Sequence, residues 1–134
     1  MAVKPQVEIF LQSTLIGVVG ASSNRGKFGN KVLRCYLENQ RAVIPVHPKE
    51  TEIEGLACVA SVADLPNEVN SISVITPPQI TESVVKMAAE KGIENIWMQP
   101  GAESPAAISF CQEKGINLIA DGTCVLVELG FSGH

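Results

Sequence analysis

The sequence has no Cys-x-x-Cys pair, and neither of its histidines stands at zinc-ligand spacing from Cys35, Cys58, Cys111 or Cys124. A structural zinc site and a disulfide framework are both unsupported, and a reducing compartment is the expectation. Residues 1–14 carry one cation, Lys4, and an interrupted apolar pattern, which is not the basic and then apolar build of a secretory leader. No apolar run approaches the roughly 20 residues of a membrane span. These absences make the cytoplasm the expected location. Nor is there an excess of positive charge, since 10 Lys and Arg against 14 Asp and Glu leave a net −4. That balance argues against partners held by a broad basic surface, nucleic acid and anionic membranes above all. Repeats, linkers and low-complexity tracts are absent too.

What is there is ordinary globular material. A chain of 134 residues, 46% hydrophobic and 18% charged, suits a single domain over 1–134 with a real core. Its charge is uneven. From Arg25 to Lys49 the cations Arg25, Lys27, Lys31, Arg34, Arg41 and Lys49 face only Glu38, a net +5, while the rest of the chain carries −9. Any anion is therefore expected to be drawn to that one stretch.

Five short apolar runs (15–20, 42–46, 72–76, 95–99 and 117–121) are rich in Val and Ile and do not alternate with polar residues. Strands covered on both faces of a parallel sheet have this pattern. Between them, helical spacing places Phe28, Val32, Cys35 and Tyr36 on one face of 27–39, Ile80, Val84, Met87 and Ala88 on one face of 79–91, and Ala107, Ile108 and Cys111 on one face of 104–114. Ser104-Pro105 is a capping residue followed by proline at the first helical position. A further amphipathic helix is expected over 5–12. The 49–70 link is less regular, with a one-turn helix and capping box expected at Ser61 and Asp64. The alternation predicts an α/β, Rossmann-like, doubly wound parallel sheet of five strands, order 3-2-1-4-5. Ligands of such sheets bind outside the carboxyl ends of the strands, beside the first.

The first strand runs into Gly17-Val18-Val19-Gly20-Ala21-Ser22-Ser23-Asn24-Arg25-Gly26-Lys27-Phe28-Gly29. A glycine turn feeding a helix offers backbone N–H groups and a positive dipole end to a phosphate. The loop is longer than the dinucleotide fingerprint Gly-x-Gly-x-x-Gly allows. In NAD-binding domains an acid roughly 20 residues past the last fingerprint glycine accepts from the adenosine ribose. Counted from Gly29, that place holds Lys49, which disfavours NAD and favours a nucleotide phosphorylated on its ribose, NADP or coenzyme A (CoA).

The Gly-Ala-Ser turn, Val46-His47-Pro48-Lys49, Val74-Ile75-Thr76-Pro77-Pro78, Trp97-Met98-Gln99-Pro100-Gly101 and Asp121-Gly122-Thr123-Cys124 follow one another in order. In this the chain resembles the small single-domain CoA-binding proteins and, through them, the N-terminal CoA-binding domain of the succinyl-CoA ligase alpha subunit. The resemblance spans about Thr14 to Gly130 and implies a CoA site along the strand ends. It puts the pyrophosphate on Gly20, Ala21, Ser22 and the helix start of Lys27, Phe28, Gly29 and Asn30, and the 3′-phosphate on Lys49, with Arg25 and Lys27 as neighbouring cations. Val46, Pro48, Thr76, Pro77 and Pro78 would flank adenosine, and Met98, Gln99 and Cys124 would lie toward the pantetheine. Where relatives commonly have Pro after the Cys, this chain has Val125.

His47 is a candidate phosphate donor, and Cys124 a candidate thiol for a mixed disulfide with CoA. Trp97 reads as a packing group, and His134 carries no signal. Beyond His47 and Cys124 the strand ends hold hydroxyls, amides and prolines, and the chain is too short for a substrate domain. The expected function is a binding module for CoA or an acyl-CoA, acting as carrier, sensor or regulator without chemistry of its own. The competing reading is a small NADP(H)-binding oxidoreductase or redox sensor on the same cradle. A protein partner or a homo-oligomer is left open.

Overall fold

The computed structural model describes residues 4–132, so His134 lies outside the described residues. Helix α1 (Pro5–Leu11) precedes β1 (Leu15–Val19), α2 (Phe28–Glu38) and β2 (Ala42–Val46); a hairpin of β3 (Glu52–Ile53) and β4 (Leu56–Ala57) follows. Then come a single 3-10 turn (Val62–Asp64), β5 (Ser71–Val74), α3 (Pro78–Lys91), β6 (Asn95–Met98), α4 (Pro105–Glu113), β7 (Asn117–Ile119) and a π-helical turn (Leu126–Gly130). The expected helices are all present. At 61–64 the expected capping box is changed: Ser61 Oγ donates to the Asp64 carboxylate at 3.3 Å instead of capping a backbone amide.

The five apolar runs form one parallel sheet in the order β2-β1-β5-β6-β7. Counted by the apolar runs this is 2-1-3-4-5 where 3-2-1-4-5 is expected: the third run pairs with β1 instead of lying beyond β2. The place beyond β2 goes to Val59, which makes one parallel bridge to Val46. The intervening link spends its residues on a hairpin, and the next full strand pairs with β1 on the sheet's other side. Pro45 lies within β2; its carbonyl accepts from Val59 N–H and Val59 C=O accepts from His47 N–H.

Crossovers cover both faces, as continuous apolar strands require. One face carries α1, α2 and the C-terminal turn, through Phe10, Val32, Leu33, Tyr36 and Val125. The opposite face carries α3, α4 and the 62–64 turn, through Val62, Leu65, Val85, Ala88 and Cys111. From β1 the chain crosses to β2 on one side and later returns to β5 on the other, which opens the sheet between the carboxyl ends of β1 and β5. That reversal places the site.

Candidate functional site: a glycine cradle at the β1–β5 reversal

Two glycines let the chain turn here. Gly20 has φ +96°, and a Cβ on it would lie 2.6 Å from Ile75 O. Gly29, in the first turn of α2, packs so tightly on the strand end that its Cβ would lie 2.1 Å from Gly20 O. No other residue fits at either place, so the N-terminus of α2 sits directly on the end of β1. The amides of Phe28 and Gly29 have no intrahelical acceptor and point out of the helix end. Local bonds shape the loop between: Asn24 N–H donates to Ser22 Oγ at 3.0 Å, and Gly26 N–H to Asn24 Oδ1 at 2.9 Å.

The cradle opens into a cleft of about 610 Å³, a size that suits a nucleotide-scale ligand. Gly20, Ala21 and Ser22 of the loop line it, as do Lys27, Phe28 and Gly29 of the helix start. Val46, His47 and Pro48 come from the end of β2, and Thr76 and Pro77 from the end of β5. Its apolar wall is Val62 together with Ile80, Val84 and Met87 of α3. The face on which helical spacing places Ile80, Val84 and Met87 serves both cleft and core: Ile80 is 51% exposed and faces the cleft, whereas Val84 is buried.

A family model described as a CoA binding domain matches residues 14–130. The chain belongs to that CoA-binding family. It is 29% identical over 91 residues to the alpha subunit of acetate–CoA ligase (ADP-forming) II of Pyrococcus furiosus, covering 67% of this chain and 20% of that one. To acetate–CoA ligase (ADP-forming) I of Archaeoglobus fulgidus it is 30% identical over 80 residues, 60% of this chain and 12% of that one. The chain thus spans no more than about a fifth of the length of these curated relatives. Among solved structures, a conserved hypothetical protein from Pyrococcus furiosus is 42% identical with a TM-score of 0.81, covering 84% of this chain and 97% of that one. A hypothetical protein from Pyrococcus horikoshii is 30% identical with a TM-score of 0.85, covering 92% and 86%.

Not every expected residue of this CoA-binding domain reaches the cleft. Arg25 turns away: its guanidinium pairs with the Glu54 carboxylate at the hairpin tip, Nε to Oε2 at 3.2 Å. Asn30 is fully buried and works structurally, donating to Ser22 O at 2.8 Å and to Glu54 Oε2 at 3.0 Å while accepting from Arg34 Nε at 2.6 Å. Arg34 in turn donates to Arg25 O and lies over the Phe131 ring. Met98 and Gln99 are also fully buried. The Gln99 amide donates to Ser73 Oγ and accepts from Val125 N–H, both at 3.0 Å, so it anchors the C-terminal turn. Cys124 is half-buried in that turn, outside the cleft wall. Lys49 and Pro78 are exposed and stand next to lining residues, Lys49 beyond Pro48 and Pro78 beyond Pro77.

Ring geometry fixes His47. Its Nδ1 accepts from both Lys49 N–H at 3.0 Å and Glu50 N–H at 2.9 Å, which leaves the ring proton on Nε2. Burial pushes the thiols of Cys35 and Cys111 up to about 11, with the Glu38 carboxylate adding to the effect at Cys35. Cys58 is raised by burial and then by Glu50 and Glu52. These three are thiols and not thiolates at neutral pH. Among the described residues no group of His, Cys, Asp and Glu side chains could hold a metal ion, and no helix is long and apolar enough to cross a membrane.

Three carboxylates tie separate parts of the chain together, and all are held below their ordinary values. Asp121 falls from 3.8 to about 2 through its bonds from Lys4 and then Thr123. Glu54 is lowered by Asn30 and then Arg25, and Glu50 by hydrogen bonding from Ser23. A depressed native carboxylate contributes stability above its unfolded value and loses it as pH falls through the native one. The melting temperature is expected to be flat from about pH 7 to about pH 5 and to fall from there toward about pH 2. Lys4→Met should remove the lowest part of that slope; an unchanged acid profile would mean that the Lys4–Asp121 pair does not hold in solution.

Proposed function

We propose that this domain binds CoA, free or acylated, across the carboxyl ends of β1, β2 and β5, as a carrier, sensor or regulatory module without a catalytic group of its own. The observation that carries the reading is the glycine cradle. Gly20 and Gly29 bring the amide end of α2 against the strand with no side chain between, and an apolar, nucleotide-sized cleft opens beside it. The pyrophosphate lies on Gly20, Ala21, Ser22 and the first amides of α2, where the dipole and free N–H groups favour anions. Val46, Pro48, Thr76 and Pro77 flank the adenosine, and Lys27 and Lys49 stand at the mouth with no salt-bridge partner among the described residues. Membership of a CoA-binding family supports the same reading.

Lys49 is the test. A charge-assisted phosphate contact contributes about 1.5–3 kcal/mol, or one to two decades in affinity. Calorimetric titration should show CoA binding at least about tenfold more tightly than dephospho-CoA, and Lys49→Ala should erase most of that difference. Equal affinity for the two ligands removes Lys49 from this role. Stabilisation by NADP but not by CoA would replace the CoA reading with an NADP(H)-binding one.

A further inference from the structure

The sequence count for a ribose-reading acid ends on Lys49, but the fold brings the next residue to the glycine loop. Glu50 Oε2 accepts from Ser23 N–H at 3.1 Å and lies 3.8 Å from His47 Nε2. The bond to Ser23 and the neighbouring imidazole fix one carboxylate oxygen between the end of β2 and the loop after β1. A carboxylate offers about four acceptor positions, so Glu50 keeps capacity beyond its contacts with Ser23. In parallel α/β nucleotide sites, an acid at the end of the second strand accepts from the adenosine ribose. Glu50 lies four residues past the end of β2, held against the loop after β1 by Ser23 and one residue past the cation assigned to the phosphate. The His47 ring, accepting from the amides of both Lys49 and Glu50, sets the turn that carries the two residues.

We propose that Glu50 is a specificity-determining residue that accepts a hydrogen bond from the free ribose 2′-hydroxyl of the bound nucleotide, while Lys49 takes the phosphate on the adjoining 3′-oxygen. The inference rests on the CoA reading above. A neutral donor is what a fixed carboxylate selects, and a second phosphate at that position would meet its negative charge. An adjacent acid and base thus distinguish a 3′-phosphorylated ribose with a free 2′-hydroxyl from its 2′-phosphorylated isomer. Glu50 is ionised at neutral pH, because hydrogen bonding from Ser23 holds its carboxyl below the ordinary range.

The test is a cycle of two ligands and two proteins, CoA and 2′-deoxy-CoA against the wild type and Glu50→Ala, read as dissociation constants. The wild type is expected to lose about tenfold or more on removal of the 2′-hydroxyl, as for a hydrogen bond to a charged group, and Glu50→Ala less than about twofold. Loosening of the loop by the lost Ser23 contact would weaken both ligands alike and leave their ratio unchanged, so the ratio isolates the hydroxyl. A wild type indifferent to the 2′-hydroxyl, or a variant with the same ratio as the wild type, overturns the assignment of Glu50 and leaves CoA binding intact. A wild type that binds neither ligand overturns the CoA reading itself.

Discussion

Gly29→Ala is expected to destabilise the protein by about 3 kcal/mol or more and to lower its melting temperature by roughly 10 °C. The added methyl would meet Gly20 O at 2.1 Å, a backbone atom that cannot swing aside. Either α2 lifts off the strand or the Gly20–Ala21 turn opens. Both outcomes move the amide end of α2 away from the phosphate position, so CoA affinity should fall with stability. Gly92→Ala supplies the control. Gly92 caps α3 at φ +88°, with nothing within 4 Å of a built Cβ, so only the left-handed backbone is penalised, by about 1 kcal/mol. It lies at the far end of α3 from the cleft, and CoA affinity should not change. Differential scanning calorimetry of the two variants measures the contrast; equal losses would mean that the contact with Gly20 O is not what makes glycine necessary at 29.

Trp97→Ala carries the second large effect, about 3–5 kcal/mol. The indole is fully buried in β6, meets Phe10 of α1 edge to face at 5.3 Å between centroids, and donates from Nε1 to Thr123 O at 2.9 Å. It joins three parts of the chain: the N-terminal helix, the sheet, and the turn after β7. Truncation leaves a cavity beneath α1 and an unsatisfied carbonyl in the turn. Trp97→Phe keeps most of the volume and loses the hydrogen bond, which costs about 1–1.5 kcal/mol. Because α1 lies outside residues 14–130 matched by the family model, hydrogen exchange in Trp97→Ala should show α1 losing protection before the sheet does. Uniform loss of protection would instead make α1 an integral part of the cooperative core.

The sheet and its crossovers were legible in the sequence because they follow from periodicity. Unbroken runs such as Ile72–Val74 need cover on both faces, and the spacing of Val32, Leu33 and Tyr36 supplies one covering face. The glycine turn was legible from its context, since Gly17, Gly20, Gly26 and Gly29 fall between an apolar run and a helical stretch. Charge was harder to read. Arg25 lies in the cationic stretch, yet Glu54 meets it from a hairpin whose tip is distant in sequence and carries no pattern pointing to Arg25. Gln99 ends a buried strand, and only the fold shows that its amide is consumed by Ser73 and Val125. Glu50 was invisible for the converse reason: one acid in a loop reads as solvated until Ser23 N–H is found on it. Side chains whose role depends on a partner brought in by long-range topology leave no trace in local spacing.

The Val59 bridge on the outer side of β2 reaches beyond the strand order. An open sheet with a free border invites a strand from another chain, and aggregation begins there. On β2 the Pro45 carbonyl and His47 N–H are both taken by Val59, and Pro45 has no N–H to offer. At the opposite border β7 is only three residues long. A protein with an apolar content of 46% therefore shields the two margins where chains could stitch together, and the apolar cleft beside the glycine cradle can serve a ligand without also nucleating polymer.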